Sequence, residues 1–403
     1  GVKRPNQQWP TESSLAELER LAQTAGAEVV ATTFQRLESP NPRTFIGSGK
    51  VDEVAQLCQS YAADLVIFDD ELTPSQQSNL EKQVGKDIKI IDRTALILDI
   101  FALHATSREG RLQVRLAQNE YLLPRLRGMW AHLASNRMGG GVGSRFGEGE
   151  SQLEVDRRMV RKRITSIKRE LADISKTRTL QRKQRYHSGI FKVALAGYTN
   201  AGKSTLLNAL TDAGILSEDK LFATLDPTTR GLELENGQKI LFTDTVGFIS
   251  KLPHPLIRAF RSTLEEAKYA DMILHVVDVS NEHYERQMEV VYNTLRELEI
   301  GDKKVLTAFN KIDRMEAGDQ TVYKDPRSDK IVYISAREKS GLDELLEKTE
   351  EILNEGMIYL EKVFPYEEAG KIQQIRQHGK LESEEYTEEG IAIKAYIPSF
   401  LNM

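Results

Sequence analysis

The sequence contains little cysteine and no long apolar run. Cys58 is the single cysteine among 403 residues, which excludes an intramolecular disulfide bond and a cysteine-rich zinc site. No apolar run approaches the roughly 20 residues that span a bilayer, and the first residues have no signal-peptide core. We therefore expect a cytoplasmic protein without an integral membrane segment, in a reducing compartment. The first residue is Gly1 rather than methionine, and we expect a trimmed start.

An overall excess of positive charge is also absent. With 55 basic and 60 acidic residues the net charge is −5, which excludes a uniformly basic nucleic-acid binder, and we expect no DNA partner. The charge is uneven, because residues 101–190 carry 19 Lys/Arg and 8 Asp/Glu, a net of +11, which leaves −16 on the remainder. Such a local excess favours contact with RNA phosphates, although solvated helix faces have the same composition. Arg157, Arg158, Arg161, Lys162 and Arg163 form its densest part.

The first hundred residues alternate between helical and strand-like patterns. Apolar spacing predicts helices over Leu15–Ala25, Val51–Ala62 and Pro74–Val84, and short apolar or β-branched runs predict strands over Glu28–Phe34, Asp64–Phe68 and Ile88–Ile91. Such alternation is typical of βαβ units on a parallel sheet. We therefore expect an N-terminal parallel α/β domain over residues 1–102.

Residues 103–187 follow a different pattern, with apolar residues at a 4/3 spacing in two long stretches. One stretch runs from Leu112 to Leu133 and is interrupted by Pro124, and the other runs from Val160 to Ile174. Six glycines lie between Gly139 and Gly149. The pattern predicts a basic antiparallel helical hairpin with a glycine-rich tip.

The rest of the chain returns to strands alternating with helices. Strands are predicted over Phe191–Ala196, Lys239–Thr243, Met272–Val277, Lys304–Asn310 and Lys330–Ile334, with a last helix over Leu342–Leu353. This order favours a doubly wound sheet over residues 188–356. The acidic remainder, 357–403, is predicted to be a small α+β domain. The expected fold class is thus α/β and multidomain.

The stretch Gly197–Ser204 matches the phosphate-binding loop (P-loop) between a strand and a helix. Its glycines let backbone N–H groups converge on phosphate oxygens. Lys203 supplies charge to the β- and γ-phosphates, and Ser204 supplies a hydroxyl for Mg²⁺. A chance glycine turn is the plain alternative, which the strand and helix on either side disfavour.

Three further motifs follow in the order that a guanine-nucleotide site needs. Asp244–Gly247 ends an apolar strand, where Asp244 approaches Mg²⁺ and the Gly247 N–H reaches the γ-phosphate. Asn310–Asp313 lies at the end of the predicted strand Lys304–Asn310. The Asp313 carboxylate accepts from guanine N1–H and the 2-amino group, a donor pair that adenine lacks. Ser335 and Ala336 follow another strand, and the Ala336 N–H can donate to guanine O6.

A switch segment between the first two motifs contains three threonines, Thr224, Thr228 and Thr229. One of them is needed to bind Mg²⁺ and to sense the γ-phosphate. Spacing alone does not choose among them, and the other two are expected to be ordinary turn residues.

With these residues in view, the chain resembles the HflX family of ribosome-associated GTPases, within the translation-factor class of P-loop GTPases. The resemblance rests on Phe45–Val51, Leu112–Trp130, the glycine-rich joint ending at Glu150, and Phe222–Arg230. It covers nearly the whole chain. It implies a P-loop GTPase domain over 188–356 and assigns the switch role to Thr224.

The resemblance also implies a full set of site residues. Lys203, Thr224 and Gly247 would serve catalysis, and Ser204 and Thr224 would hold Mg²⁺. The residues that would line GTP or GDP are Gly197, Tyr198, Thr199, Asn200, Ala201, Gly202, Lys203, Ser204, Phe222, Ala223, Thr224, Leu225, Asp226, Asp244, Thr245, Val246, Gly247, Asn310, Lys311, Ile312, Asp313, Ser335, Ala336 and Arg337. Asn200 resembles an asparagine that holds K⁺ in related GTPases, and a loop-stabilising role is the equal alternative.

In function, the resemblance implies a GTP hydrolase that binds the large ribosomal subunit and its rRNA, as a monomer when bound, and splits stalled or idle ribosomes. The glycine-rich joint would insert into the subunit. Phe248 occupies the position where signalling GTPases place a water-orienting Gln, so we expect slow intrinsic hydrolysis that the ribosome raises. Two alternatives are a GTPase of ribosome assembly or other RNA processing, and a non-catalytic RNA-binding scaffold.

Overall fold

The structure is a computed structural model that divides into two units. It describes residues 1–5, 9–85, 87–126, 146–186, 190–211, 221–222, 225–234, 239–252, 256, 267–301, 303–315, 322–355 and 357–398. The first unit comprises Gly1–Ile174 together with Lys251–Phe260, and the second comprises Ser175–Ser250 together with Arg261–Met403. Among the described helices, none is long and apolar enough to cross a membrane.

Two short parallel strand pairs and four helices form the N-terminal part of the first unit. The strands are β1 (Val2–Lys3) with β2 (Gln35–Arg36) and β3 (Leu65–Phe68) with β4 (Lys89–Asp92), and the helices are α1 (Thr11–Thr24), α2 (Ser48–Tyr61), α3 (Pro74–Val84) and α4 (Arg93–His104). Helix α3 begins at a capping box, in which Thr73 and Gln76 satisfy each other's backbone N–H groups. Leu72, Leu80 and Ile90 are the centre of its core.

The predicted strand over Glu28–Phe34 is wrong. The structure assigns only Gln35–Arg36 to a strand in this region, and Val30 is 45 % exposed. A β-branched run favours extended backbone but does not supply a hydrogen-bonding neighbour. The strand therefore forms at Gln35–Arg36, which can pair with β1, and not at Glu28–Phe34.

Two helices pack as the apolar spacing predicts, through residues that all belong to the first unit. They are α5 (Arg108–Leu122) and α6 (Phe146–Tyr186), and Leu112 and Leu116 of α5 contact a cluster that includes Ile167. Helix α5 ends two residues before Pro124, which has no backbone N–H to continue it. Residues 127–145 lie outside the described residues, and they include most of the predicted glycine-rich tip. Gly147 and Gly149, the end of that predicted joint, belong to α6.

The second unit contains a six-stranded sheet that confirms the predicted doubly wound fold. Its order is β10-β9-β8-β5-β7-β6, parallel throughout except for β6. The strands are β5 (Phe191–Gly197), β6 (Thr228–Glu233), β7 (Lys239–Asp244), β8 (Met272–Asp278), β9 (Lys304–Asn310) and β10 (Lys330–Ile334), and the helices described beside them are α7 (Lys203–Thr211), α8 (Tyr284–Glu297) and α9 (Leu342–Asn354). Central strand β8 is buried along most of its length, as a sheet covered on both faces requires.

A second, antiparallel sheet completes this unit. Its strands are β11 (Met357–Phe364), β12 (Lys380–Thr387) and β13 (Gly390–Pro398), in the order β11-β13-β12, and α10 is Ala369–His378. Ile372 and Ile375 of α10 belong to one buried cluster with Phe364, Ile391 and Ile393 of the strands. The predicted α+β character of this segment is confirmed.

Candidate functional site

The P-loop lies between β5 and α7, and its glycines are required by close backbone approaches. A Cβ on Gly197 would come within 2.4 Å of the Val276 carbonyl oxygen. Gly202 has φ +95°, and a Cβ there would lie 2.3 Å from Nδ2 of Asn310. Asn200 also has positive φ, +61°, which asparagine tolerates better than most residues. The loop is therefore packed so tightly that a side chain at Gly197 or Gly202 would collide with its neighbours.

Lys203 crosses this loop from the first turn of α7. Its Nζ donates to the carbonyl oxygens of Gly197 at 3.1 Å and of Tyr198 at 2.9 Å. Burial lowers the pKa of Lys203 to about 8, while the nearby Asp244 carboxylate acts in the opposite direction. The ammonium has three donors, so it can hold the loop and still donate to a phosphate oxygen.

Ser204 and Asp244 come together beside Lys203. The Ser204 hydroxyl donates to Oδ2 of Asp244 at 2.7 Å, and Asp244 is fully buried at the end of β7. A hydroxyl and a carboxylate at this distance are oxygen donors of the kind that Mg²⁺ prefers. Within the described part of the chain there is no cluster of three or more His, Cys, Asp or Glu side chains that could hold a metal ion by itself. A cation here would therefore need phosphate oxygens or water as further ligands.

The segment after Asp244 lies against the P-loop. The Phe248 N–H donates to the Gly197 carbonyl at 3.1 Å, and the Thr199 N–H donates to the Phe248 carbonyl at 2.7 Å. Gly247 is so close that a Cβ would lie 2.9 Å from the Thr199 Cα. Only glycine fits at position 247, and its backbone lies beside the loop that would bind phosphate.

The neighbours of Gly247 hold the rest of this segment. The Thr245 hydroxyl donates to the Leu195 carbonyl at 2.6 Å, Val246 is buried, and the Ser250 N–H donates to the Tyr198 hydroxyl at 2.8 Å. Tyr198 is buried, and its hydroxyl links the P-loop to Ser250, a residue that the sequence did not predict to belong to the site.

Asn310 joins the P-loop to the loop after β10. Its Nδ2 donates to the Ala201 carbonyl at 2.8 Å, and its Oδ1 accepts from the Ala336 N–H at 3.0 Å. Lys311 has φ +69°, and its Nζ donates to the Asn200 carbonyl at 2.8 Å. These contacts bring three of the four predicted motifs into one place.

Asp313 lies in a short 3₁₀ turn, Ile312–Arg314, and its carboxylate accepts from the Ser335 hydroxyl at 2.6 Å. Ser335 is buried, while Arg337 is exposed in the turn that follows β10. A carboxylate held from one side in this way can present its other oxygen to a base edge.

The switch segment is only partly described. Ala223 and Thr224 lie outside the described residues. Phe222 and Leu225 are buried, Phe222 with φ +59°, and Asp226 is half-buried. The expectation that Thr228 and Thr229 are turn residues is wrong, because both lie in β6, where the Thr229 hydroxyl is 2.9 Å from the Thr243 hydroxyl.

Sequence reasoning missed Asp278 as well as Ser250. Asp278 ends β8, and its Oδ2 accepts from Lys311 Nζ at 2.7 Å. The signal was available, because Asp278 ends a parallel strand at the same edge of the sheet as Asp244, where side chains of doubly wound folds converge on ligands.

Three family models match the chain. One described as GTP-binding GTPase N-terminal matches residues 12–102, one described as GTP-binding GTPase Middle Region matches 104–185, and one described as 50S ribosome-binding GTPase matches 192–311. A solved GTP-binding protein from the archaeon Sulfolobus solfataricus, in complex with GDP, is 23 % identical with a TM-score of 0.44, over 87 % of this chain and 96 % of that one.

Proteins named GTPase HflX are similar over most of the chain. The one from Lacrimispora saccharolytica is 54 % identical, over 96 % of this chain and 90 % of that protein. The one from Escherichia coli K12 is 40 % identical, over 84 % of this chain and 79 % of that protein. This chain therefore belongs to the HflX GTPase family, and GTP hydrolysis is its activity.

Proposed function

We propose that the protein binds the large ribosomal subunit, dissociates stalled or idle ribosomes, and changes its ribosome affinity with the bound nucleotide. The observation that carries this proposal is the basic surface of α6, where Arg158, Arg161, Lys162 and Arg163 are all exposed. Exposed Lys and Arg neutralise RNA phosphates and release their counterions. The family model described as 50S ribosome-binding GTPase supports the same partner.

The protein would consist of four domains with separate functions, over residues 1–102, 103–187, 188–356 and 357–403. The first two would bind rRNA, and the third would bind and hydrolyse GTP. The match of separate family models to 12–102, 104–185 and 192–311 supports the boundaries between the first and second and between the second and third of these domains. The protein would act in the cytoplasm and as a monomer on the subunit.

In the hydrolytic site, Lys203 would donate its remaining N–H to the β- and γ-phosphates and the Gly247 N–H would bind the γ-phosphate. The other P-loop residues would surround the phosphates. Asp313 would read guanine, with the Ala336 N–H at guanine O6. In this structure that N–H donates to Asn310 Oδ1 at 3.0 Å, so it would have to share or leave that bond to reach the base. Of these donors, the Lys203 ammonium already lies across the P-loop, beside the place where phosphate would bind.

Ser204 and Thr224 would hold Mg²⁺. The 2.7 Å contact between the Ser204 hydroxyl and the Asp244 carboxylate supports the first ligand, because these oxygen donors suit the ion. The role of Thr224 rests on the family resemblance. When bound, Mg²⁺ would neutralise the negative charge that develops on the phosphate oxygens during hydrolysis. Asn200, at the left-handed turn of the P-loop, would hold K⁺.

Phe248 explains why a ribosome would be needed for fast turnover. Its side chain is 2 % exposed, and a phenyl ring has no group that orients an attacking water. In related phosphoryl-transfer enzymes, one added catalytic group raises the rate by about 10³- to 10⁵-fold. The isolated protein is therefore expected to hydrolyse GTP slowly until its ribosomal partner rearranges the site.

The test compares GTP hydrolysis by the full chain with and without large ribosomal subunits. We expect stimulation of at least about 100-fold, and separation of intact ribosomes into subunits, followed by light scattering, with GTP but not with GDP. Lys203→Ala is the control that removes hydrolysis. Equal rates with and without subunits would refute the ribosome-activated site, and stimulation by immature subunits alone would favour the assembly function.

A further inference from the structure

Asp278 ends β8, the strand that lies between β5 and β9 in the six-stranded sheet. All three strands run parallel, so their carboxyl ends meet at one edge. In the register of the sheet, Asp278 lies beside Asn310 of β9, and Val276 lies beside Gly197, where the P-loop begins. A side chain at position 278 is therefore placed between the P-loop and the segment that follows β9.

The Asp278 carboxylate is held from two directions. Its Oδ1 accepts from the Ser280 hydroxyl at 2.6 Å and from the Ser280 N–H at 3.0 Å, and its Oδ2 accepts from Lys311 Nζ at 2.7 Å. The side chains of Lys311 and Asp278 are only 13 % and 15 % exposed. Because the bonds from Ser280 fix one oxygen and solvent reaches the pair poorly, this contact is held more firmly than an ion pair on an open surface.

Lys311 passes this restraint to the P-loop. Its Nζ also donates to the Asn200 carbonyl at 2.8 Å. Both residues have left-handed backbone conformations, with φ +69° at Lys311 and +61° at Asn200, which non-glycine residues adopt at a cost. A continuous chain of contacts therefore runs from the end of β8, through the Lys311 ammonium, to the backbone of the P-loop.

The position of the Lys311 ammonium depends on the Asp278 carboxylate. Burial lowers the pKa of the Lys203 amine to about 8, and the nearby Lys311 acts in the same direction. Two ammonium groups beside one loop repel each other, and the Asp278 carboxylate offsets this repulsion on the Lys311 side. Without Asp278, a mostly buried ammonium would lose its counter-charge, which is costly. We expect Lys311 then to turn toward water and to leave the Asn200 carbonyl.

We propose that Asp278 is a positioning residue for nucleotide binding, which acts through Lys311 to hold the P-loop at Asn200 beside the turn Ile312–Arg314. Lys311 directly precedes that turn, which contains Asp313, the residue that would read guanine. Asp278 therefore fixes the part of the site that binds phosphate relative to the part that binds the base, without touching the nucleotide itself. This inference rests on the guanine-nucleotide site proposed above.

The expected effect is on binding and not on hydrolysis. GDP and GTP carry the same base and the same α- and β-phosphates, so loss of a restraint between the base site and the P-loop weakens both nucleotides alike. Lys203, which would contact the γ-phosphate, is held separately by the carbonyls of Gly197 and Tyr198. Loss of Asp278 should therefore raise KM for GTP and leave kcat nearly unchanged.

The test measures the dissociation constants of GDP and of a β,γ-imido GTP analogue for the full chain. Asp278→Ala is expected to weaken both about 10-fold, as for the loss of a hydrogen bond between charged groups, and to change their ratio less than about two-fold. The kcat for GTP hydrolysis should also change less than about two-fold. Lys311→Met is expected to weaken both nucleotides at least as much, and the double variant should bind like Lys311→Met, because both changes act on one chain of contacts.

Two further variants separate this role from a loss of charge or of stability. Asp271→Ala removes an acidic side chain that is exposed at the other end of β8, where it accepts from the Lys192 N–H at 2.8 Å, and should leave both constants unchanged. Asp278→Asn keeps an oxygen that can accept from Ser280 or Lys311, and its expected loss is smaller, about three-fold. It replaces Asp278→Ala in the comparison if that variant does not fold.

Asp313→Asn tests the site independently of Asp278. If Asp313→Asn weakens GDP while neither Asp278→Ala nor Asp278→Asn does, the nucleotide site stands and the role of Asp278 is refuted. If none of the three weakens GDP, the proposed site fails and the inference fails with it. Losses that add in the double variant of Asp278 and Lys311, or a loss confined to one of the two nucleotides, would also overturn the proposal.

Discussion

At the scale of single residues, the choice of base depends on Asp313. One of its carboxylate oxygens accepts from the Ser335 hydroxyl at 2.6 Å, which leaves acceptor capacity for the N1–H and 2-amino group of guanine. Asp313→Asn replaces an acceptor by an amide donor that faces those donors. We expect GTP affinity to fall at least about 100-fold.

The same substitution should create a preference that can be measured. Xanthine has an oxygen where guanine has its 2-amino group, so the amide that Asp313→Asn introduces can donate to it, and binding of xanthosine triphosphate is expected to improve relative to GTP. Competition between the two nucleotides measures this ratio. If Asp313→Asn weakens both nucleotides equally, Asp313 supports the loop and does not read the base.

The motif residues were predictable because chemistry and order restrict them. Lys203, Ser204 and Asp244 lie together in the structure, and the contact between Ser204 and Asp244 could be expected from their motifs. The partners of Asn310 were not predictable, since its bonds to Ala201 and Ala336 join segments that are 109 and 26 residues away. Sequence spacing identifies such a residue but does not give its hydrogen-bond geometry.

At the scale of elements, a buried polar network joins two strands and a helix of the second unit. Asp325 accepts from the Tyr292 hydroxyl of α8 at 2.5 Å and from the Thr307 hydroxyl of β9 at 2.7 Å. His275 of β8 is 1 % exposed, and its Nδ1 lies 3.8 Å from Asp325 Oδ2, beyond hydrogen-bond distance. Arg327 stacks on the Tyr292 ring with its guanidinium carbon 4.0 Å from the ring centroid.

This network predicts a pH dependence of stability. Burial lowers the pKa of His275, although Asp325 acts in the opposite direction. The unfolded chain therefore binds more protons than the folded one below about pH 6.5, the ordinary value for histidine. The free energy of unfolding should fall with decreasing pH in this window, by up to about 1.4 kcal/mol per pH unit for one proton.

Urea unfolding between pH 7.5 and pH 5, compared with His275→Gln, measures that contribution. The glutamine of the variant cannot take up the proton. The free energy of unfolding of the variant should therefore fall less steeply with decreasing pH, even if the variant is less stable at every pH. Parallel curves would mean that His275 keeps an ordinary pKa in the folded protein.

Local signals predicted some elements well and others poorly. The capping box of Thr73 and Gln76 and the proline that follows Thr73 set the start of α3 as expected. Strand β6 was missed because Thr228–Glu233 has little apolar alternation and pairs antiparallel at the edge of the sheet. Strand β6 forms because β7 lies beside it, and a local sequence pattern does not indicate such a neighbour.

At the scale of the whole molecule, an acidic chain carries a concentrated basic region. Residues 101–190 have a net charge of +11 in a chain of −5, and the long helix α6 presents much of that charge to solvent. Replacing Arg158, Arg161 and Lys162 by Gln removes three charges without lowering helix propensity much. We expect weaker binding to large ribosomal subunits, and a plot of log affinity against log salt whose slope falls by about two to three.

The proposed RNA contact requires that this effect depend on position and not on net charge. Lys362, Lys371 and Lys394 of the C-terminal segment supply a matched control, since their replacement by Gln removes the same number of charges outside the hairpin. That variant should keep the salt slope of the unaltered chain, and both variants should bind GDP normally because neither change touches the P-loop. Equal losses of subunit affinity in the two variants would show general electrostatic attraction, and the hairpin would then have no special role in binding rRNA.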